Sequence, residues 1–449
     1  MKVGLFAPSA YIISGVATFI NGLLPALRRG GCEAQLLLVS GPKFHDPASN
    51  LEVHPDANVA LVHTSTATAE SRRRAIHGVL ARARLDLALS FNVPDLVATI
   101  ADMRRRGEPT PRVAMTIHGL DQNLFADVNH FAQALDGVIC TNRLSCTLAE
   151  YLGGIDPKRV HYASYGIASS ESEDRSDRDQ APGALRLLYV GRLDDQQKRI
   201  LDVAAIARAA AHHTAVRLTV AGDGPSREEF FRALADAPAE LEVNYLGRVD
   251  SALLPKLYAQ SDALLITSLS ETGPQVVWEA MASSLPVVTS RFIGSGLERA
   301  LVHDSNVLFF EIGDTQAAAQ CCLRLQREPA LRDTLIANGL DLVKTRYSMA
   351  SFENQWNSAL RQIMESEPAS AMGYAPRPAG RLDRLLGVQI GENLRQWMRR
   401  RPYLVDGGSE WPSAFSSATS DQAFWQFARA CDRGVLPDTA SLSAMREIA

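Results

Sequence analysis

The chain has 449 residues, room for two domains of ordinary size and an appendage, and with 46% hydrophobic and 21% charged residues it reads as a globular protein. A formal charge of −4 argues against a general nucleic-acid binder. No apolar run reaches the roughly 18 residues of a membrane span, so any membrane contact is expected to be peripheral.

The start, Met1-Lys2 running straight into Val3–Ala7, is too short for a signal-peptide core. Six cysteines (Cys32, Cys140, Cys146, Cys321, Cys322 and Cys431) follow neither metal-ligand spacing nor a disulfide framework. They read as reduced, mostly buried thiols of a cytoplasmic protein.

Residues 2 to 7 read as a buried strand. The turn Ser14-Gly15-Val16-Ala17 leads into an apolar-periodic helix from Thr18 to Leu27, and Glu33 to Val39 is the next strand, completing a βαβ unit. Strand-like runs recur at Val59–His63, Leu87–Ser90, Val113–Ile117, Gly137–Cys140 and Arg159–Ala163, with helical patterns such as Ala67–Arg84 and Pro94–Arg105 between them. That alternation is the sequence form of a doubly wound parallel sheet. His118-Gly119 comes directly after a strand, at the carboxyl end where open α/β sheets place ligands; a lone histidine there is also compatible with a structural role.

The stretch from Ala168 to Gly183 has almost no apolar residue and reads as an exposed linker. Its Asp177-Arg178-Asp179 offers no strand end or pocket that would hold a metal, so no metal site is expected. A second alternating series follows: Leu185–Val190, Val216–Ala221, Glu242–Leu246, Asp262–Thr267, Pro286–Thr289 and Val307–Phe310. Two such sheets imply two domains with a cleft, where ligand sites commonly form.

The most informative stretch runs from Leu269 to Ala282. An apolar strand ends, and Gly273-Pro274 opens a helix, with Glu271 at its mouth and Glu279 expected about two turns inside on nearly the same face. A helix start offers unpaired N–H groups to an anion such as a diphosphate. The two carboxylates suit sugar hydroxyls, which donate hydrogen bonds to them. After the first strand of this half, Gly191-Arg192-Leu193 and Lys198 supply a fork-shaped and a point-like cation that can converge on one diphosphate. Gly222-Asp223-Gly224-Pro225 is a sharp turn after the next strand.

This pattern resembles the C-terminal signature of the retaining glycosyltransferases of family four, down to Ser284-Leu285-Pro286-Val287-Val288 at the following strand. The resemblance implies a GT-B fold: an acceptor domain in residues 1–167, a linker in 168–184, a nucleotide-sugar domain in 185–365 and an extension in 366–449. It implies transfer of a hexose from a nucleoside-diphosphate sugar to a hydroxyl acceptor, with no cofactor beyond that co-substrate. Arg192 and Lys198 would grip the diphosphate, and Glu279 would bind ribose hydroxyls. Glu271, with the amides of Thr272, Gly273, Pro274 and Gln275, would face the hexose. Gly15, Gly191, Gly222, Gly224 and Leu246 would wall the donor pocket, and His118 would reach the donor sugar without acting as a general base. The sequence departs from the family pattern at Arg199, where a glycine is usual after the lysine, and at Thr272–Gln275.

A nucleotide-sugar epimerase of similar fold and a non-catalytic nucleotide-sugar-binding subunit are the competing readings. The arginine clusters 72–74 and 104–106 fit either anionic lipid or solvated helix faces. In the extension, Leu382, Leu385, Leu386, Ile390, Leu394, Trp397 and Met398 recur at helical spacing among arginines, a pattern suited to a membrane interface, a partner, or packing on the two domains. Trp278 is expected to pack against the sheet.

Overall fold

The structure is a computed structural model describing residues 1–8, 15–39, 59–62, 69–167, 183–370, 381–398 and 422–435. Of these, Met1–Ser164 with Glu353–Cys431 form one compact unit, and Tyr165–Phe352 with Asp432–Val435 form a second.

The first unit is built on seven strands: β1 (Lys2–Pro8), β2 (Glu33–Val39), β3 (Val59–Val62), β4 (Leu87–Ser90), β5 (Arg112–Ile117), β6 (Gly137–Cys140) and β7 (Val160–Tyr162). They lie in the order β3-β2-β1-β4-β5-β6-β7, all parallel. Parallel strands are covered on both faces, which is why they read as unbroken apolar runs; β1 exposes only its first residue. Helices α1 (Gly15–Arg29), α2 (Ala69–Ala83), α3 (Pro94–Arg105), α4 (Gln122–Phe131) and α5 (Arg143–Tyr151) fill the connections.

The second unit has six parallel strands: β8 (Leu185–Val190), β9 (Val216–Ala221), β10 (Leu241–Gly247), β11 (Ala263–Ile266), β12 (Val287–Ser290) and β13 (Leu308–Phe310). Their order is β10-β9-β8-β11-β12-β13. The connecting helices are α6 (Ile200–Ala211), α7 (Arg227–Ala233), α8 (Leu254–Ala259), α9 (Gln275–Ala282), α10 (Thr315–Arg327) and α11 (Pro329–Arg346). Side chains alternate between two cores, as the two-residue strand period demands. Leu187 and Tyr189 of β8 point into a core with α6 and α10, and Leu188 points to the other face with Val277 and Met281 of α9.

The chain then returns to the first unit through α12 (Met349–Glu365). The sequence reading ended the second domain at residue 365, but the buried Trp356, Leu360 and Ile363 of this helix go with the first unit. Trp356 meets Phe19 of α1 at 5.2 Å between ring centres, and its Nε1 donates to the Ser164 carbonyl at 3.2 Å. In the extension, α13 (Arg381–Leu386), α14 (Val388–Trp397) and α15 (Gln422–Asp432) are helical. Phe424, Phe427 and Cys431 of α15 are buried, with Phe424 beside Phe125.

Each arginine of the two clusters has an acidic partner within the chain. Arg72 pairs with Asp95, Arg73 and Arg74 with Glu70, Arg104 with Asp136, Arg105 with Asp102 and Arg106 with Glu108. Among the described residues no helix is long and apolar enough to cross a membrane. The linker motif Asp177-Arg178-Asp179, the loop preceding Gly15 and arginines 399–401 lie outside the described residues.

Candidate functional site

The second sheet reverses its order at β8, which has β9 on one side and β11 on the other. Loops leaving the carboxyl ends of two such strands diverge and open a crevice, the usual ligand position in this architecture. Both of these ends carry the residues singled out from sequence.

The two loops are laced together. Leu269 N–H donates to the Gln197 carbonyl at 2.7 Å, Gln197 Nε2 to the Ser270 carbonyl at 3.1 Å, and Thr267 Oγ1 to the Lys198 carbonyl at 2.7 Å. On this frame Lys198 Nζ donates to Glu271 Oε1 at 2.6 Å, and Ser268 Oγ donates to the same oxygen at 2.6 Å. The Glu271 and Lys198 side chains are 9% and 26% exposed, so the ion pair is largely removed from water while its ammonium stays reachable. Arg192 stands on the same loop, with Nη2 at 2.8 Å from Asp194 and 3.3 Å from the Gln197 side chain. Its carbonyl accepts from the buried Tyr189 hydroxyl at 2.7 Å. Burial, reinforced by the negative charge of Glu271, pushes the Tyr189 phenol well above its usual value, so it stays a donor.

Helix α9 starts later than the sequence reading placed it. Pro274 is its N-cap, at φ −70° and ψ 89°, and Gln275 is the first helical residue. Pro274's ψ of 89° lies outside the helical range, so the proline caps the first turn and is not its first residue. Glu271 therefore sits in a loop, beside the bridge of Ser270 with Ile293, and Glu279 is the fifth helical residue. The expectation that both glutamates share one helical face two turns apart is corrected accordingly. Glu279 Oε2 accepts from the Tyr258 hydroxyl at 2.7 Å. Burial raises its pKa, and the tyrosine hydrogen bond opposes that rise. Thr272 is buried, and a Cβ on Gly273 would fall 2.1 Å from the Tyr165 ring. Trp278 is buried with its ring stacked on Tyr347, at 4.0 Å and 13°, so a ring from the end of α11 is its closest aromatic neighbour.

The remaining wall residues serve close packing of turns. A Cβ on Gly222 would lie 1.8 Å from the Gly191 carbonyl oxygen, and one on Gly224 would lie 2.3 Å from that of Leu193. Only glycines let the 222–224 turn rest on the 191–193 turn. Leu246, at the end of β10, is 38% exposed, and the next carbonyl, Gly247, accepts from Gly222 N–H at 2.7 Å.

His118 and Gly15 belong to the first unit. His118 follows β5, 8% exposed, with Phe19 at 4.6 Å and Phe91 stacked at 5.5 Å. Burial pushes its pKa down to about 3, so the imidazole is neutral. Gly15 is the first residue of α1, with open space where a Cβ would stand.

Sequence reasoning passed over Gln197, Ser268, Asp194 and Tyr258. The first three lie in the polar spacers of the two motifs, and their polarity beside strand ends was the available signal. Tyr258 had none, since an isolated tyrosine on a short helix reads as core. A separate concavity of about 320 Å³, lined by Leu201, Ala205, Arg208, His212 and Thr315 among others, shares no residue with this cluster.

Two facing loops at a strand-order reversal carry cations on one and a carboxylate on the other, in a chain built of two parallel α/β sheets, and the solved structures named below share this GT-B fold. Residues 184–328 match the model of the family described as "Glycosyl transferases group 1". The chain is 29% identical over 145 residues, 32% of its length, to the lipopolysaccharide core biosynthesis glycosyltransferase LpsD of Rhizobium meliloti, matching 41% of that protein. It is 25% identical over 375 residues to D-inositol 3-phosphate glycosyltransferase of Pseudarthrobacter chlorophenolicus, covering 72% of this chain and 85% of that one. The match takes in less than half the length of the first three curated relatives. Among solved structures, Anabaena HepE in complex with UDP and glucose is similar at TM-score 0.65 and 17% identity, over 80% of this chain and 99% of that one. The lipopolysaccharide outer core galactosyltransferase WaaB, in its apo form, is similar at TM-score 0.63 and 16% identity, over 80% and 99%.

Proposed function

We propose that this chain is a retaining glycosyltransferase that moves a hexose from a nucleoside-diphosphate sugar to a hydroxyl of a glycan, lipid-linked or small-molecule acceptor. The observation that carries the proposal is the Lys198–Glu271 pair at the β8/β11 reversal, with Arg192 on the same loop. Lys198 has three N–H donors and can hold Glu271 and a phosphate oxygen together; the Arg192 fork can take two oxygens more. As the sugar–phosphate bond lengthens, negative charge gathers on the departing diphosphate, and fixed cations in a partly dry site stabilise it most.

Glu271 accepts from both Lys198 and Ser268, which casts it as a group that orients donor hydroxyls, not as a covalent nucleophile. Retention is then front-face attack assisted by the leaving phosphate. Glu279, anchored by Tyr258 one helical turn into α9, would receive ribose hydroxyls. Solved neighbours bound to UDP and UDP-glucose make a uridine donor the first to try. At the surface, Leu385, Ile390 and Trp397 are exposed, which supports a peripheral contact with an anionic bilayer.

Purified protein offered labelled UDP-, GDP-, ADP- and TDP-sugars should bind one of them and release its diphosphate only with an acceptor. An epimerase would isomerise the sugar unaided. By calorimetry Arg192→Ala and Glu279→Ala should each weaken nucleoside diphosphate binding; unchanged affinity in both would end the assignment.

A further inference from the structure

Helix α15 ends in a carboxylate to which the reading above gives no task. Asp432 is 9% exposed and accepts three backbone N–H groups of a single loop. Gly294 donates to Oδ2 at 2.9 Å, Leu297 to Oδ1 at 3.0 Å, and Gly296 to both oxygens at 3.1 Å. The loop is shaped for this guest. Gly294 has φ +109°, and a Cβ on Gly296 would stand 2.2 Å from the carbonyl oxygen of Asp432. Hydrogen bonds to an ionised acceptor are about twice as strong as neutral ones, so a carboxylate fixes such a loop more firmly than a neutral side chain would.

The held loop continues directly into the donor site. Ile293, next to Gly294, donates its N–H to the Leu269 carbonyl at 2.9 Å and accepts the Glu271 N–H at 3.1 Å. Ser290 Oγ donates to the Ser268 carbonyl at 2.6 Å. The strand end that carries Glu271 is thus sewn to the very loop that Asp432 grips.

We infer that Asp432 is a positioning residue for the donor sugar: by fixing Gly294–Leu297 it sets, through Ile293, where the Glu271 carboxylate stands beside Lys198. This rests on the donor-site reading proposed above. Its effect falls on the sugar end of the donor, because Arg192 and Glu279, assigned above to the nucleotide end, are fixed by other contacts, with Asp194 and Tyr258.

The test compares the affinities of one sugar donor and its free nucleoside diphosphate. The unmodified protein is first offered UDP-, GDP- and ADP-glucose with the matching diphosphates; if it binds none, the donor-site reading fails and this inference falls with it. With the ligand in hand, Asp432→Ala is expected to weaken the sugar donor about tenfold while the free diphosphate stays within about twofold. Asp432→Asn, which keeps one acceptor oxygen, should recover part of that loss. Gly296→Ala, which forces the residue 432 carbonyl away and leaves the carboxylate chemically intact, should weaken the sugar donor in the same direction. Equal losses for both ligands would reduce the contact to a support of the fold, and unchanged affinities in the folded Asn and Gly296→Ala proteins would refute the inference.

Discussion

Lys198 and Glu271 are 73 residues apart in sequence and 2.6 Å apart in space, and each limits what the other can do. Under the proposed function, replacing Lys198 by alanine would remove a cation from the diphosphate, and it would release Glu271 from its orienting bond. Loss of one donor of this kind costs about 10²–10³ in turnover. Lys198→Ala is therefore expected to lower kcat by that order, with a smaller change in acceptor KM, as steady-state kinetics would show. His118 makes a different prediction, one about stability. Its folded pKa is about 3, against roughly 6.5 in an unfolded chain. As pH falls, the unfolded chain takes up the proton first. The stability tied to the neutral imidazole is therefore fully present above about pH 6.5 and is lost below it, by up to about 1.4 kcal/mol per pH unit, until the folded imidazole protonates. Burial shifts His161 in the same direction. Urea unfolding of the first unit between pH 7 and 5 should show the decline, and His118→Gln should flatten it.

Arg199 caps α6 in the left-handed region, at φ 51° and ψ 51°, where the resembled family has glycine. Its guanidinium compensates through Asp202, at 2.7 and 3.1 Å. Alanine would keep the backbone strain and lose the pair, whereas glycine would lose the pair and the strain together. Arg199→Gly should thus be more stable than Arg199→Ala by about 1 kcal/mol, the reverse of the order inside a helix, and thermal unfolding of the two variants decides it. The elements themselves were legible because a strand covered on both faces must be apolar along its length: β4 and β6 coincide with the runs read from sequence at Leu87–Ser90 and Gly137–Cys140. Local site motifs were legible for the same reason, since Gly191-Arg192 and Glu271 sit at strand ends. What sequence withheld is whatever depends on distant partners. The stacking of Trp278 on Tyr347, the anchoring of Glu279 by Tyr258 and the three amides on Asp432 join segments that no local period connects. The start of α9 was placed one residue early because Pro274 serves as the cap and not as the first helical residue.

On the scale of the whole molecule, the extension divides into a part whose large apolar side chains are buried and a part whose large apolar side chains are exposed. Phe424, Phe427 and Cys431 are buried, whereas Leu385 and Trp397 are 82% and 80% exposed. Residues 381–401 hold six arginines against two acids, the charge an anionic bilayer selects. The protein is expected to float with vesicles rich in phosphatidylglycerol and not with phosphatidylcholine alone, and Leu385→Ser/Trp397→Ser should sink it; equal behaviour in both vesicles would refute the contact. The second unit also has an unusual place in the chain. Its main segment is entered at Tyr165 and left at Phe352, with Ile167 N–H meeting the Tyr347 carbonyl at 2.8 Å, and the chain adds Asp432–Val435 to it later. The side chains Trp356, Leu360 and Ile363, which complete the first unit, are encoded only after it. On the ribosome, where domains condense as they emerge, the body that begins first must therefore wait until α12 has been made.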